Sequence, residues 1–132
     1  IFWIMKDPTI PPVIKLKGAA LASVMGATLA TKTSTAERVA AGTDLNALRI
    51  VPYANPFRLY PLSKDYLSFK SLFENLNVDC YIINTGFFGE TKVTPKVTLG
   101  LIEDIVTEKA KFTTKVVLGE QEKTKLILKQ KK

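Results

Sequence analysis

The chain has 132 residues, 46% apolar and 23% charged, which is enough to bury one hydrophobic core and too apolar for a disordered segment. With no histidine and a single cysteine, Ser-His-Asp and Cys-His nucleophile systems, His/Cys zinc sites and an intramolecular disulfide are all excluded. The net charge of +7 rests on sixteen Lys and only Arg38, Arg49 and Arg58, a balance poor in the planar guanidinium forks that read bases, so no nucleic-acid partner is expected.

Ile1-Phe2-Trp3-Ile4-Met5 is a strand-like run of the kind buried in parallel sheets, and it is expected to belong to a longer chain with sequence upstream. Asp7-Pro8-Thr9-Ile10-Pro11-Pro12 is a rigid connection, because each proline fixes its own φ and bars the preceding residue from the helical region. From about Lys17 to Leu29 the large apolar residues Leu21, Val24, Met25 and Leu29 recur at helical spacing on an alanine-rich background. Residues 31–43 are small and hydroxyl-rich and read as a mobile loop. A strand is expected near Leu48 to Tyr53, with Pro52 and Pro56 breaking regular structure around Asn55.

A second helix is expected with Ser63 as N-cap, Asp65 in its first turn and an apolar stripe of Tyr66, Phe69, Phe73 and Leu76. Val78 to Ile83 is apolar at nearly every position, as in a central strand covered on both faces, and its Cys80 reads as a core residue. Strand following helix is the pattern of an α/β unit. Thr85-Gly86-Phe87-Phe88-Gly89 forms a glycine-bounded turn. Thr94 with Pro95 then gives an N-cap and a first-position proline for a third helix, with Val97, Leu101, Ile105 and Ile102 on its buried face and its end near Lys109. Residues 111–132 form a terminal hairpin or basic tail, with Thr113 to Leu118 and Lys125 to Leu128 as the pairing segments. Apolar stretches are interrupted well before the roughly 20 residues needed to span a bilayer. No membrane partner and a cytoplasmic location are expected.

Few residues can carry chemistry. Gly86-Phe87-Phe88-Gly89-Glu90-Thr91-Lys92 lies between strand and helix, where a phosphate loop would sit, but it lacks the G-x-x-x-x-G-K-[ST] spacing that lets backbone N–H groups surround a phosphate. Glu103 and Asp104, like Glu74 and Asp79, read as solvated acids rather than a catalytic pair. No metal-ligating set is present.

Several strings taken together resemble the ATP-dependent phosphoenolpyruvate carboxykinases, in the C-terminal part that faces the nucleotide. Ile1-Phe2 followed by Pro11-Pro12-Val13-Ile14-Lys15-Leu16 is similar to that family's strand and Pro-Pro-x-x-[KR]-Leu segment. Ala30-Thr31-Lys32 with Glu37-Arg38 resembles its active-site lid, T-A-K followed by G-T-E-R-G. Tyr81-Ile82-Ile83-Asn84-Thr85-Gly86 resembles its [YW]-L-V-N-T-G strand and turn, and Thr94-Pro95-Lys96-Val97-Thr98 the start of the following helix. The strings are collinear from residue 1 to about 108.

The resemblance implies an α/β fold, a mixed sheet with flanking helices, forming part of a C-terminal mononucleotide-binding domain over residues 1–110, with the lid at about 31–43. It implies decarboxylation of oxaloacetate and phosphorylation of its enolate by ATP, as in gluconeogenesis, with Mg²⁺ or Mn²⁺. The phosphate loop and metal ligands would come from the remainder of the polypeptide, leaving this chain inactive alone. Lys32, Glu37 and Arg38 would be lid residues. With a one-residue deletion, the residues that hold adenine and ribose in the family fall on Lys92, Val93 and Thr98, whereas a gapless alignment places Val93 and Thr94 at the first two positions. An apolar Val93 suits a purine face, Lys92 a ribose or phosphate, and a Thr98 hydroxyl a base or sugar edge. The chain departs from the family in having Ala36 for the lid's Thr and Val39 for its Gly, a restriction where glycine would permit positive φ. The alternative reading is a non-catalytic interaction module with a basic tail.

Overall fold

The computed structural model describes residues 1–33, 38–117 and 125–130, with 113–117 and 125–130 described by their backbone. The centre is a three-stranded mixed sheet in the order β1-β5-β2, where β1 is Phe2–Met5, β2 is Val13–Leu16 and β5 is Cys80–Asn84. β1 runs parallel to β5, pairing Phe2 with Tyr81 and Met5 with Asn84. β2 runs antiparallel to β5, pairing Val13 with Ile83 and Leu16 with Cys80. Every residue of β5 is buried, the apolar Cys80 to Ile83 as a central strand requires and the polar Asn84 with them.

Between β2 and β5 the chain forms helix α1 (Ala19–Ala27), strands β3 (Ala30–Lys32) and β4 (Leu48–Ile50), a single 3-10 turn at Pro52–Ala54, and helix α2 (Leu62–Leu76). After β5 come the short pair β6 (Phe87–Phe88) and β7 (Thr91–Lys92), helix α3 (Pro95–Val106), and the antiparallel pair β8 (Phe112–Val117) and β9 (Lys125–Gln130). β9 runs beside β2. The chain is thus mixed α/β, with a small mixed sheet and three helices among the described residues. None of these helices is long and apolar enough to cross a membrane.

One face of the sheet, carrying Trp3, Met5, Ile14, Leu16, Cys80 and Ile82, packs beneath α1 and α2. Helix α1, expected from its apolar spacing, buries its small residues Ala22, Ser23 and Gly26. A Cβ at Gly26 would lie 2.6 Å from ring atoms of both Trp3 and Tyr53, so the helix approaches too closely for large side chains on that side. Leu21, Val24, Met25 and Leu29 line an open cavity of about 570 Å³ with Leu48 and Ile50, and of these Leu29 is buried in the core and Met25 packs against it.

α2 departs in two respects. Its N-cap is Pro61, with no side-chain cap, and Ser63 already lies inside the first turn. Its inward stripe is Phe69, Leu72 and Phe73, while Leu76 is exposed in the last turn, before Asn77 closes the helix in the left-handed conformation that Asn tolerates. Asp65 does lie in the first turn, where it accepts from Arg58 Nε at 2.6 Å.

The opposite face, with Val13, Tyr81 and Ile83, is covered by half-buried Leu101 and Ile105 of α3 and by Phe112. Thr94 caps α3 through its hydroxyl, which accepts from Val97 N–H at 3.4 Å, with Pro95 at the first helical position as expected. The helix stops at Val106 rather than near Lys109, and Val97 stays 43% exposed instead of joining the buried face.

Candidate functional site

Parallel strands β1 and β5 end side by side, and ligands in open α/β sheets collect beyond such carboxyl ends. Asn84, the last residue of β5 and fully buried, ties this end together. Its side-chain amide donates to the carbonyls of Asp7 (2.8 Å), Ile10 (2.6 Å) and Phe87 (2.8 Å). Its Oδ1 accepts from the N–H groups of Gly86 (3.0 Å) and Asp7 (3.4 Å). One side chain therefore closes the proline-rich connection onto the turn after β5. Asp7 is itself buried and accepts from both the N–H (2.9 Å) and the hydroxyl (2.6 Å) of Thr9, which fixes the start of that connection.

The base of the expected lid is locked to the same end. Lys32 N–H donates to the Lys6 carbonyl at 2.8 Å, and Lys6 N–H donates to Thr31 Oγ1 at 2.9 Å. Thr85 N–H donates to the Met5 carbonyl at 3.0 Å. These bonds frame a cavity of about 310 Å³ lined by Lys6, Thr31, Lys32, Arg49 and Thr85, with Ile4, Val51 and Ala54 among its apolar walls. Arg49 reaches it from β4, which pairs with β3 in the register Thr31 to Arg49.

One wall is held by unusual backbone. Tyr53 and Ala54 both have positive φ, 56° and 53°, a conformation that costs about 1 to 3 kcal/mol for each non-glycine residue. Packing over-determines it. The Tyr53 ring stacks on Phe69 at 4.4 Å and meets Trp3 edge-on at 5.7 Å, and its hydroxyl donates to the Ser23 carbonyl at 3.1 Å. Burial, the largest influence, raises the Tyr53 hydroxyl above its ordinary pKa, keeping it a neutral donor.

The residues expected from the sequence divide between two places. Lys32 lines the cavity; Arg38 is exposed, and Glu37 lies outside the described residues. On the other side of the Asn84-Thr85-Gly86 turn, Val93 N–H donates to the Gly86 carbonyl at 2.8 Å. Val93 is 5% exposed, Lys92 is exposed at the end of β7, and Thr98 is half-buried in the first turns of α3. None of Lys92, Val93 and Thr98 lines the cavity.

Lys6 and Arg49 escaped the sequence reading. Lys6 carried a usable signal, as the first charged residue after an apolar run where a parallel strand should end. Arg49 had only the alternation Leu48-Arg49-Ile50, which does not say which face is functional.

The cation-lined cavity suits an anionic group. Among the described residues no three His, Cys, Asp or Glu side chains come together as a metal site would require. Cys80 is buried in the sheet, and burial pushes its thiol up to about 12, so it is not a nucleophile in the folded chain. Comparison with models of known protein families and with curated proteins finds no match.

Proposed function

We propose that this chain is the nucleotide-side part of an enzyme like the ATP-dependent phosphoenolpyruvate carboxykinases, contributing lid and adenine-side contacts to a longer polypeptide. The observation that supports the reading is convergence. Strings that resemble the family lie apart in sequence, yet Met5-Lys6 at the end of the opening strand, Pro12, Thr31-Lys32 and Asn84-Thr85-Gly86 are joined by hydrogen bonds at one end of the sheet, and Val93, just before the last string, donates to Gly86.

In such an enzyme the bond to the departing carboxylate of oxaloacetate breaks, and its electron pair forms the enolate. The enolate oxygen then takes the γ-phosphoryl group of ATP, giving phosphoenolpyruvate, ADP and carbon dioxide. ATP supplies the phosphoryl group, and Mg²⁺ or Mn²⁺ would be held by residues elsewhere in the polypeptide. This chain's part is to bind and exclude water. Lys32 stands at the hinge of the lid, and a closed lid shields the enolate from protonation. Thr98 offers a hydroxyl to a base or sugar edge, and Lys92 a charge at the rim.

Titration of ATP into the isotopically labelled chain tests this reading. Amide shifts should cluster at Thr85, Gly86, Lys92, Val93 and Thr98, and Thr98→Val should weaken them while Lys96→Ala leaves them unchanged. Because Val93 is buried, Val93→Asp would disturb folding and does not serve as a binding probe. The absence of shifts in this cluster at millimolar ATP would sink the adenine-side assignment. Metal-dependent turnover by the 132-residue chain alone would overturn its role as one part of an active site, since its sequence holds no phosphate loop.

A further inference from the structure

Lys6 and Lys32 are far apart in sequence, yet their main chains are hydrogen-bonded to each other at 2.8 Å and their side chains line one cavity. Both residues are half-buried, and among the described residues neither forms an ion pair. Among the described residues the lining carries no acid. Two lysines that line one concave place give it a positive field. The local fold accommodates this arrangement. A Cβ at Gly86 would meet Lys6 Cβ at 3.1 Å and Cγ at 3.4 Å, so glycine leaves room for the lysine stem to cross the turn. Thr31 Oγ1 accepts from Lys6 N–H and donates to the Lys32 carbonyl at 3.0 Å, which aligns the two lysine backbones and leaves their ammonium groups for another partner.

We propose that this cavity is an oxyanion site, with Lys6 and Lys32 as its principal ligands, that takes a phosphate or carboxylate group of a small, multiply charged molecule. The lysines, as mobile point charges, fit a tetrahedral or planar oxyanion equally, so the shared chemistry is a compact polyanion. The site lies on the far side of the Asn84-Thr85-Gly86 turn from Lys92, Val93 and Thr98. It extends the nucleotide reading to a second part of the same sheet end without depending on it.

The test is calorimetric titration of the whole chain at low salt with pyrophosphate and, separately, malonate, with amide shifts to locate each. Saturable binding of at least one anion is expected, with shifts at residues 6, 31, 32 and 85. Lys6→Met and Lys32→Met keep the apolar stem and remove the charge. Each should weaken binding roughly tenfold or more, with unchanged melting, while Lys6→Arg retains most of it. Pyrophosphate binding well above malonate assigns the site to phosphoryl groups, and the reverse assigns it to carboxylates. If neither anion saturates, or if Lys96→Ala on exposed α3 weakens binding as much as Lys6→Met, the attraction belongs to the net charge and the proposal falls. ATP shifts at 92–98 with no saturable anion at residues 6, 31, 32 and 85 would overturn this site and leave the nucleotide reading standing. Anion binding that depends on Lys6, without ATP shifts at 92–98, would do the opposite.

Discussion

The two faces of the central sheet are built from the same three strands and finished very differently. Under α1 and α2, Trp3, Tyr53, Phe69 and Phe73 form one aromatic cluster with ring centroids 4.4 to 6.2 Å apart, and the helix above presents Ala, Ser and Gly so that it can come close. Under α3 no helix residue is fully buried, and Tyr81 finds its ring neighbours in Phe2 at 5.3 Å and Phe112 at 5.8 Å. The dense face holds the strained Val51–Ala54 turn in place and so shapes the cation-lined cavity. The thin face supports α3, whose start would border a nucleotide. Rigidity is thus concentrated beside the charged cavity, and of the adenine-side candidates Thr98 lies on the more lightly held helix, while Lys92 ends β7 and Val93 is buried in the link between them.

Asn84 serves both halves, so its loss should exceed damage to either face alone. Asn84→Leu strands two N–H groups and three carbonyls, at about 1 to 3 kcal/mol each, and should leave the chain largely unfolded by circular dichroism. A cooperative melt close to that of the parent would show that the pin is dispensable.

The contrast between faces sets the next expectation. Phe73→Ala should cost about 3 to 5 kcal/mol and Leu101→Ala roughly 1 kcal/mol, as measured by denaturant unfolding. Equal losses would erase the distinction.

Gly26→Ala sharpens it further, because helix propensity alone would stabilise the chain by about 1 kcal/mol. Overpacking against Trp3 and Tyr53 should outweigh this and give a net loss of about 1 to 2 kcal/mol. A raised melting temperature would mean that α1 is looser than its ring contacts indicate.

The smallest effect is expected from pH. Burial raises the pKa of Cys80 on the dense face and of Tyr81 on the thin one, in the second case against the nearby Lys15 charge. The folded chain therefore keeps protons that the unfolded chain releases. Stability should fall as pH rises above the ordinary thiol value of 9.0 toward about 12. Thiol reagents at neutral pH should label Cys80 only as fast as the chain opens. Immediate stoichiometric labelling would contradict its burial.

Much of this fold was legible in the sequence because it rests on local chemistry. Proline at Pro11 and Pro12, the Thr94-Pro95 cap and the all-apolar run into Ile83 constrain their own backbone wherever they occur. What escaped depends on residues distant in sequence. Gly26 is required by rings at positions 3 and 53, and Asn84 is a pin because Asp7 and Ile10 return to it. The left-handed pair Tyr53-Ala54 contradicts local preference and is held only by tertiary packing. For α1 the periodicity located an apolar stripe but not the partner that decides which side closes. For the candidate site, Lys32 was visible through the resemblance. Lys6 needed the parallel pairing of β1 with β5 before its position meant anything.

That pairing also sets the order in which the molecule can be made. The middle strand of the sheet is the last of its three to be synthesised, and the Ile1 nitrogen donates to the carbonyl of Asp79, 78 positions later. At about 5 to 20 residues per second, the apolar strands β1 and β2 would wait roughly 4 to 16 seconds on the ribosome for a partner. Throughout that interval Trp3, Met5 and Ile14 would be exposed to chaperones and to neighbouring nascent chains. Release from that exposure comes late and all at once, when β5 emerges and closes the loop, as expected of a topology dominated by distant contacts.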